Sequence, residues 1–396
     1  MPELRRYFEH YFAPHPSREV REMMLSVSIL NFATASIALF EPVYLYRLGL
    51  SLVQVIMFYG ALYVLYFFAL PLGGRICRRH GYEHSILYSS PFLILYYLSL
   101  FATRYDFRFL GIALVALVVQ KILYWPGYHS NLVNYGDGAE QGREISNVQT
   151  LAAASSAVAP FFGGAVITWL GYPVLFILVA ALILLSNLPL LRAPELFEPQ
   201  PFSYGAAVKR LFKRKNLRKL ASFLGFGEEI IALVLWPIFV LITIPDYLSA
   251  GAIISVAIIV SMFVTLYVGR LSDEGNRESV LRVGGTYTAA SWLLRPLIVG
   301  GFGVFLAESF YRVSKSTAMV PLTSMVYDGA RRGRAMESIV FFEMALALGK
   351  IMAALLAIAI FTAAPSQSAA WTALFILGTA FAGGYMLLKE NGGVED

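Results

Sequence analysis

The sequence predicts an all-α integral membrane protein with twelve transmembrane helices in two pseudo-symmetric six-helix bundles. Three observations carry this. Hydrophobic residues make up 58% of the 396 residues and charged residues only 14%, too little charge to clothe a soluble surface. Twelve continuous apolar runs each approach the roughly 20 residues that a helix needs to cross a bilayer core. Lys and Arg fall overwhelmingly on one side of those runs.

In order, the runs lie at 23–46, 51–73, 85–103, 107–134, 145–170, 172–191, 219–244, 249–271, 279–299, 301–326, 337–363 and 369–388. Their continuous rather than alternating apolarity selects helices over a barrel. The first run follows a charged arm (1–22) and has no small-residue cleavage site, so it is expected to be retained as a span. With the N-terminus in the cytoplasm, 23 of the 31 Lys and Arg residues face that side. Four face the other (Arg47, Arg104, Arg108 and Arg295), and four lie inside spans (Lys121, Arg312, Lys315 and Lys350). Both termini are therefore expected in the cytoplasm, with the cell membrane as the location.

The one long polar connection, 192–218, holds Pro194, Pro199 and Pro201 and then Lys209, Arg210, Lys213, Arg214, Lys215 and Arg218. It divides a first bundle (23–191) from a second (219–388), with a short tail at 389–396. It reads as a linker whose basic residues lie on anionic headgroups or enforce topology.

The halves repeat at fixed offsets. Pro42 and Pro237 are 195 residues apart, as are Gly74-Arg75 and Gly269-Arg270. Asp137-Gly138-Ala139 and Asp328-Gly329-Ala330 are 191 apart, as are Gly142-Arg143 and Gly333-Arg334, Arg104 and Arg295, and Lys121 and Arg312. Duplicated six-helix halves are a common transporter plan.

Gly269-Arg270-Leu271-Ser272-Asp273 in loop 8–9 resembles the Gly-x-x-x-Asp signature of the major facilitator superfamily, and the resemblance covers nearly the whole chain. Loop 10–11 carries Arg331-Arg332-Gly333-Arg334. Loop 2–3, from Gly74 to Gly81, keeps the glycines but has Arg78 where the family has an acid that caps a neighbouring helix. The resemblance thus implies gate-loop roles for Gly74, Arg78, Gly81, Asp137, Arg143, Gly269, Asp273, Asp328 and Arg334, with a helix brace at Asp273 and an altered one at Arg78. In span 5, Ser155 and Ala159-Pro160-Phe161-Phe162-Gly163-Gly164 resemble the family's antiporter motif, whose physical content is close helix approach and a bend. Ordinary small-residue packing is the alternative. The resemblance implies a monomer that moves a solute by alternating access, with a lean to proton-coupled export.

Ionisable groups in the bilayer core are costly unless paired or hydrated, so each is a functional candidate. Glu308, Arg312 and Lys315 share one face of span 10, where Glu308 can pair with Arg312. Glu343 and Lys350 share a face of span 11. Lys121 lies in span 4 with Tyr124 and Tyr128 one and two turns on. Asn31, Thr34 and Glu41 line one side of span 1, and Glu229 and Trp236 take the places of Thr34 and Glu41 in span 7. These residues are expected to border a cavity between the halves. Each charge has an alternative as an ion pair that locks two helices. Glu41 is expected near the outer water interface, and Glu228 turned away, because adjacent helical residues diverge by about 100°.

Cations in such a cavity favour an anionic or zwitterionic solute. Burial favours the neutral form of a carboxylate, which puts Glu308 and Glu343 forward as proton-exchanging groups. No ATP-binding loop is present, no metal or cofactor spacing occurs among the five histidines and the lone Cys77, and no nucleic-acid partner is expected. Uptake by a symporter or uniporter is the alternative direction. A lipid-modifying enzyme built on His80, Glu83 and His84, and a non-transporting sensor, are the alternatives of another class.

Overall fold

A computed structural model describes residues 18–134, 139–190, 202–273, 277–331 and 335–389. The first half contains α1 (Arg18–Ala38), α2 (Glu41–Arg47), α3 (Leu52–His80), α4 (Tyr82–Ala102), α5 (Arg108–Asn134), α6 (Ala139–Leu170) and α7 (Tyr172–Leu190). The linker forms α8 (Tyr204–Phe212). The second half begins with a chain of short pieces: α9 (Leu217–Leu224), a 3₁₀ turn, α10 (Glu228–Ile230), a π turn at Ile231–Leu235 and α11 (Trp236–Thr243). It continues with α12 (Tyr247–Asp273), α13 (Arg277–Leu294), α14 (Gly300–Arg331), α15 (Ala335–Ala363) and α16 (Gln367–Gly383).

Ten helical stretches among the described residues are long and apolar enough to cross a membrane. The two remaining expected spans, α13 and α14, are not among them. α14 has 32 residues but carries Glu308, Arg312, Lys315 and Asp328. Two further boundaries differ from the sequence reading. The glycine-arginine segment at 74–80 is the last two turns of α3, and only Gly81, at φ +93°, makes the turn. Likewise Gly269 and Asp273 lie on α12, not in a loop.

The repeat is visible in the backbone. In each half the first span breaks and restarts at a proline: Pro42 sits in the first turn of α2 and Pro237 in the first turn of α11. A proline there forfeits no helical hydrogen bond.

The halves meet along two seams, α3 against α15 and α6 against α12. Glycine lets the second seam close. A Cβ on Gly164 would strike the Tyr247 carbonyl, and one on Gly251 the Pro160 carbonyl. Across the seam the Phe161 N–H donates to Ser255 Oγ at 3.0 Å. Gly163 faces the other way, where a Cβ would strike the Ser36 carbonyl of α1. The span-5 motif is thus a two-sided packing surface, with Ala159 fully buried beside it. Gly163→Val and Gly164→Val are each expected to abolish monodisperse protein on size-exclusion chromatography. Gly111→Ala, with nothing within 4 Å of the new methyl, is expected to behave as wild type.

Candidate functional site

The halves also touch at both ends of the seams. At the end that carries the linker, His129 of α5 reaches into the second half. Its Nε2 lies 2.9 Å from Glu343 of α15, and its Nδ1 shares a 2.7 Å hydrogen bond with the Tyr327 hydroxyl of α14. Tyr66 of α3 donates to the other Glu343 oxygen at 2.8 Å. The Arg331 Nε donates to the Val133 carbonyl at 2.9 Å. At the far end Tyr247 packs edge-on against Phe40 and Tyr172.

Between these ends lies Lys121. Its ammonium stands 5.8 Å from the ring centres of both Tyr63 and Trp125, and no carboxylate among the described residues lies within ion-pair distance of it. Tyr124 and Tyr128 stack one and two turns along, 5.5 Å apart and nearly parallel. The Tyr63 ring is shared: Lys350 of α15 lies 4.8 Å from its centre. Lys350 pairs with Glu229 at 2.8 Å, Glu229 with Lys315 at 3.3 Å, and Lys315 with Glu228 at 2.5 Å. Two acids and two lysines thus alternate from the inter-half surface into the second bundle. Glu343 and Lys350, which share a face of one helix, take different partners.

Glu228 requires a correction. It does turn off the cavity face, but into the protein core rather than out of play. It is fully buried and also takes hydrogen bonds from Tyr311, Tyr385 and Trp292. The 3₁₀ turn before α10 and the π turn after it depart from regular α-helix, and in this segment one ammonium reaches both adjacent glutamates; such turns recur at functional sites.

A second cluster lies toward the far end of the second half. Glu308 pairs with Arg312 at 2.7 Å, as the spacing predicts, and accepts a 2.7 Å hydrogen bond from the Trp236 indole N–H. Arg295 joins it, and this too is a correction. Its place at the end of a span reads as an outer loop, yet the side chain is 0% exposed. Its guanidinium carbon lies 3.6 Å from the Trp292 ring centre and 3.8 Å from that of Trp236. The counterpart Arg104 also rests on aromatic rings, Phe101 and Tyr105, but on the surface.

Glu41, partly buried, is held by tyrosines. Tyr59 and Tyr96 donate to one of its oxygens at 2.7 and 2.5 Å. Asn31 and Thr34 bond carbonyls of their own helix, Val27 at 2.8 Å and Leu30 at 2.9 Å; nothing brings them to the charge cluster.

A sequence profile described as "Major Facilitator Superfamily" matches residues 24–351. The chain belongs to this superfamily. Its fold matches a solved auto-inhibited peptide transporter of the POT family with a TM-score of 0.72 and 14% identity, covering 94% of this chain and 96% of that one. It also matches a D-xylose–proton symporter with a TM-score of 0.66 and 11% identity, covering 92% and 96%. No curated protein matches by sequence. The protein is a multi-pass integral membrane transporter and not an enzyme. The histidines of the enzyme alternative, His80 and His84, are exposed and both lie against the Tyr88 ring.

The residues expected at gate positions divide. Arg78, which stands in place of an acid, donates to the Phe202 carbonyl at 3.1 Å and so ties α3 to the linker. A Cβ on Gly74 would press on Phe202 at 2.9 Å and Val340 at 3.1 Å. The linker in turn reaches the second half, where Arg210 lies 2.8 Å from Ser338 Oγ and 3.4 Å from Glu337. Asp328 pairs with Arg277 at 2.5 Å and Arg331 at 3.7 Å, within the second half. Asp137 and Arg334 and the side chains of Arg143, Gly269 and Asp273 lie outside the described residues. Sequence reading missed His129, Tyr63 and Tyr66 as functional candidates. His129 stands two turns beyond Lys121 and directly after Tyr128, so its register was the available signal.

Proposed function

We propose that this transporter is proton-coupled and carries a small anionic or zwitterionic solute, held through its negative group near Lys121. The observation that supports this reading is a lysine beside the seam between the halves, with aromatic neighbours and, among the described residues, no carboxylate within ion-pair distance, Glu41 acting on it only from further off. In a low-dielectric site such a cation attracts an anion strongly. Tyr124, Tyr128 and Trp125 supply the apolar body and polar tips that fix orientation.

The halves rock about the seams, exposing the site alternately at the linker end and the far end. The linker end is assigned to the cytoplasm on the distribution of Lys and Arg, and the basic linker to anionic headgroups, with the chain acting as a monomer. His129 and Glu343 are the proposed proton-exchanging pair. Exchange of solute against protons is the direction favoured by the span-5 motif; the neighbour that is a proton symporter favours the opposite sign.

Flux in proteoliposomes with an imposed pH gradient tests both points. Saturable, gradient-dependent movement of carboxylate-bearing solutes is expected, and its direction relative to the proton gradient decides antiport against symport. Lys121→Met is expected to lower that flux at least about tenfold, the worth of one charge-assisted contact, with Lys121→Arg retaining part of it. Equal flux in Lys121→Met, with folding intact, would remove the assignment.

A further inference from the structure

Among the described residues of the second bundle, Arg295 is a fully buried charge without a hydrogen-bond acceptor. All three of its guanidinium nitrogens are buried, and none has a hydrogen-bond acceptor. Its faces are covered by Trp292 and Trp236, with Tyr311 at 4.8 Å. The nearest carboxylate oxygen, on Glu308, is 4.0 Å away, and Glu308 is already engaged by Arg312 and Trp236. Aromatic faces stabilise the charge but accept none of the in-plane N–H donors. A fully buried donor set left unmade is unfavourable and points to a partner present in another state.

The local charge has a matching imbalance. Arg295 and Arg312 carry two positive charges against the single one of Glu308, a surplus of one. The neighbouring chain of Glu228, Lys315, Glu229 and Lys350 is balanced within itself. One monoanion would neutralise the Arg295 cluster.

The covering group is also the best placed to move. Trp236 is the first residue of α11, directly after the π turn and before Pro237. A π turn and a proline are points at which helices bend. Displacement of α11 about this turn would lift the indole off Arg295 and Glu308 together.

We infer that Arg295 is a covered binding site for a planar oxyanion, a carboxylate above all, uncovered at the far end when Trp236 swings away. The guanidinium fork matches a carboxylate with two parallel hydrogen bonds, which an ammonium cannot do. The site lies apart from Lys121 and rests on the transport reading in taking the solute's negative group as its occupant. It is a first holding point on the far side, and Trp236 closes over Arg295 again once the anion has passed inward.

Arginine labelling by phenylglyoxal, read residue by residue by mass spectrometry on the full chain in lipid nanodiscs, tests this without any need for flux. Arg295 is expected to stay unlabelled in the resting wild type. In Trp236→Ala it is expected to label at least about tenfold faster, the factor that a desolvated cation–π contact represents. Benzoate should slow that labelling, and benzylammonium should not. Trp236→Phe keeps a ring but drops the bond to Glu308; it should label at an intermediate rate and serves if the alanine variant does not fold. Wild-type labelling rates in both variants, or labelling indifferent to benzoate, would overturn the site. A protein that transports but shows no benzoate protection refutes Arg295 alone. A protein that shows protection but no flux refutes the transport reading alone.

Discussion

Glu308→Gln is expected to destabilise the second bundle severely rather than to uncouple transport selectively. The sequence makes Glu308 a natural proton carrier, since burial favours a neutral carboxyl. Its surroundings in the folded chain argue the opposite. Arg312 lies 2.7 Å away and Arg295 4.0 Å away, and neither guanidinium gives up its proton in a protein. Neutralising Glu308 leaves two positive charges in the core, one of them fully buried. Removing one member of a buried ion pair costs about 3–5 kcal/mol, a large share of any domain's stability. The amide could still accept from the Trp236 indole, so the loss is electrostatic and not a matter of shape. Thermal unfolding followed by tryptophan fluorescence, together with yield after detergent extraction, checks this. Glu308→Gln combined with Arg312→Met should recover part of the loss, because it removes one of the two stranded charges. The recovery should be incomplete, because Arg295 remains. A Glu308→Gln protein as stable as wild type would show that water, rather than Glu308, balances these arginines.

Glu308 also marks where sequence reading succeeds and where it stops. Its pairing with Arg312 is local, four residues along one helix, and spacing alone predicts it. The proline breaks at Pro42 and Pro237 are equally local, and their 195-residue repeat survives in the backbone. Partners that come from distant elements leave no such trace. Tyr66 and Glu343 are 277 positions apart, and nothing in either segment announces the other. Depth is hidden for a related reason. Hydropathy locates the end of a span but not whether an arginine there snorkels outward, as Arg104 does, or folds back between two indoles, as Arg295 does. Helical periodicity turned Glu228 away from the face of Glu229, but its partners in the core, Lys315, Tyr311, Tyr385 and Trp292, come from distant elements and left no local signal. The sharing of Lys315 by both adjacent glutamates is formed in a segment of 3₁₀ and π turns that no periodicity foretells.

His129→Gln is expected to abolish accumulation driven by a pH gradient while sparing solute exchange at equal pH. A glutamine amide can donate to Glu343 and accept from the Tyr327 hydroxyl, so the contacts that join the halves at the linker end persist. What it cannot do is bind a proton. His129 Nε2 lies 2.9 Å from Glu343 and Nδ1 2.7 Å from the Tyr327 hydroxyl, so an imidazole carrying its one proton on Nε2 donates to Glu343 and accepts from Tyr327. A proton added at Nδ1 makes both ring nitrogens donors, turns the Glu343 contact into a full ion pair and obliges Tyr327 to reverse its bond. The protonated cluster therefore holds the linker end shut more tightly. When that end opens, His129 and Glu343 separate and the ion pair is lost. Coupling then follows from differential affinity for the two states, which is what a gradient-driven cycle needs. Around this pair stand Tyr66 and Tyr327, with Tyr128 against the imidazole ring and Lys350 two turns along α15. Tyr66 donates to Glu343, but none of them supplies it with a permanent positive charge at contact distance, as Arg312 supplies Glu308. Accumulation ratios under an imposed gradient, set beside counterflow at equal pH, separate the outcomes. Unchanged gradient-driven accumulation in His129→Gln would remove this pair from the coupling path. Loss of counterflow as well would make it a structural tie between the halves.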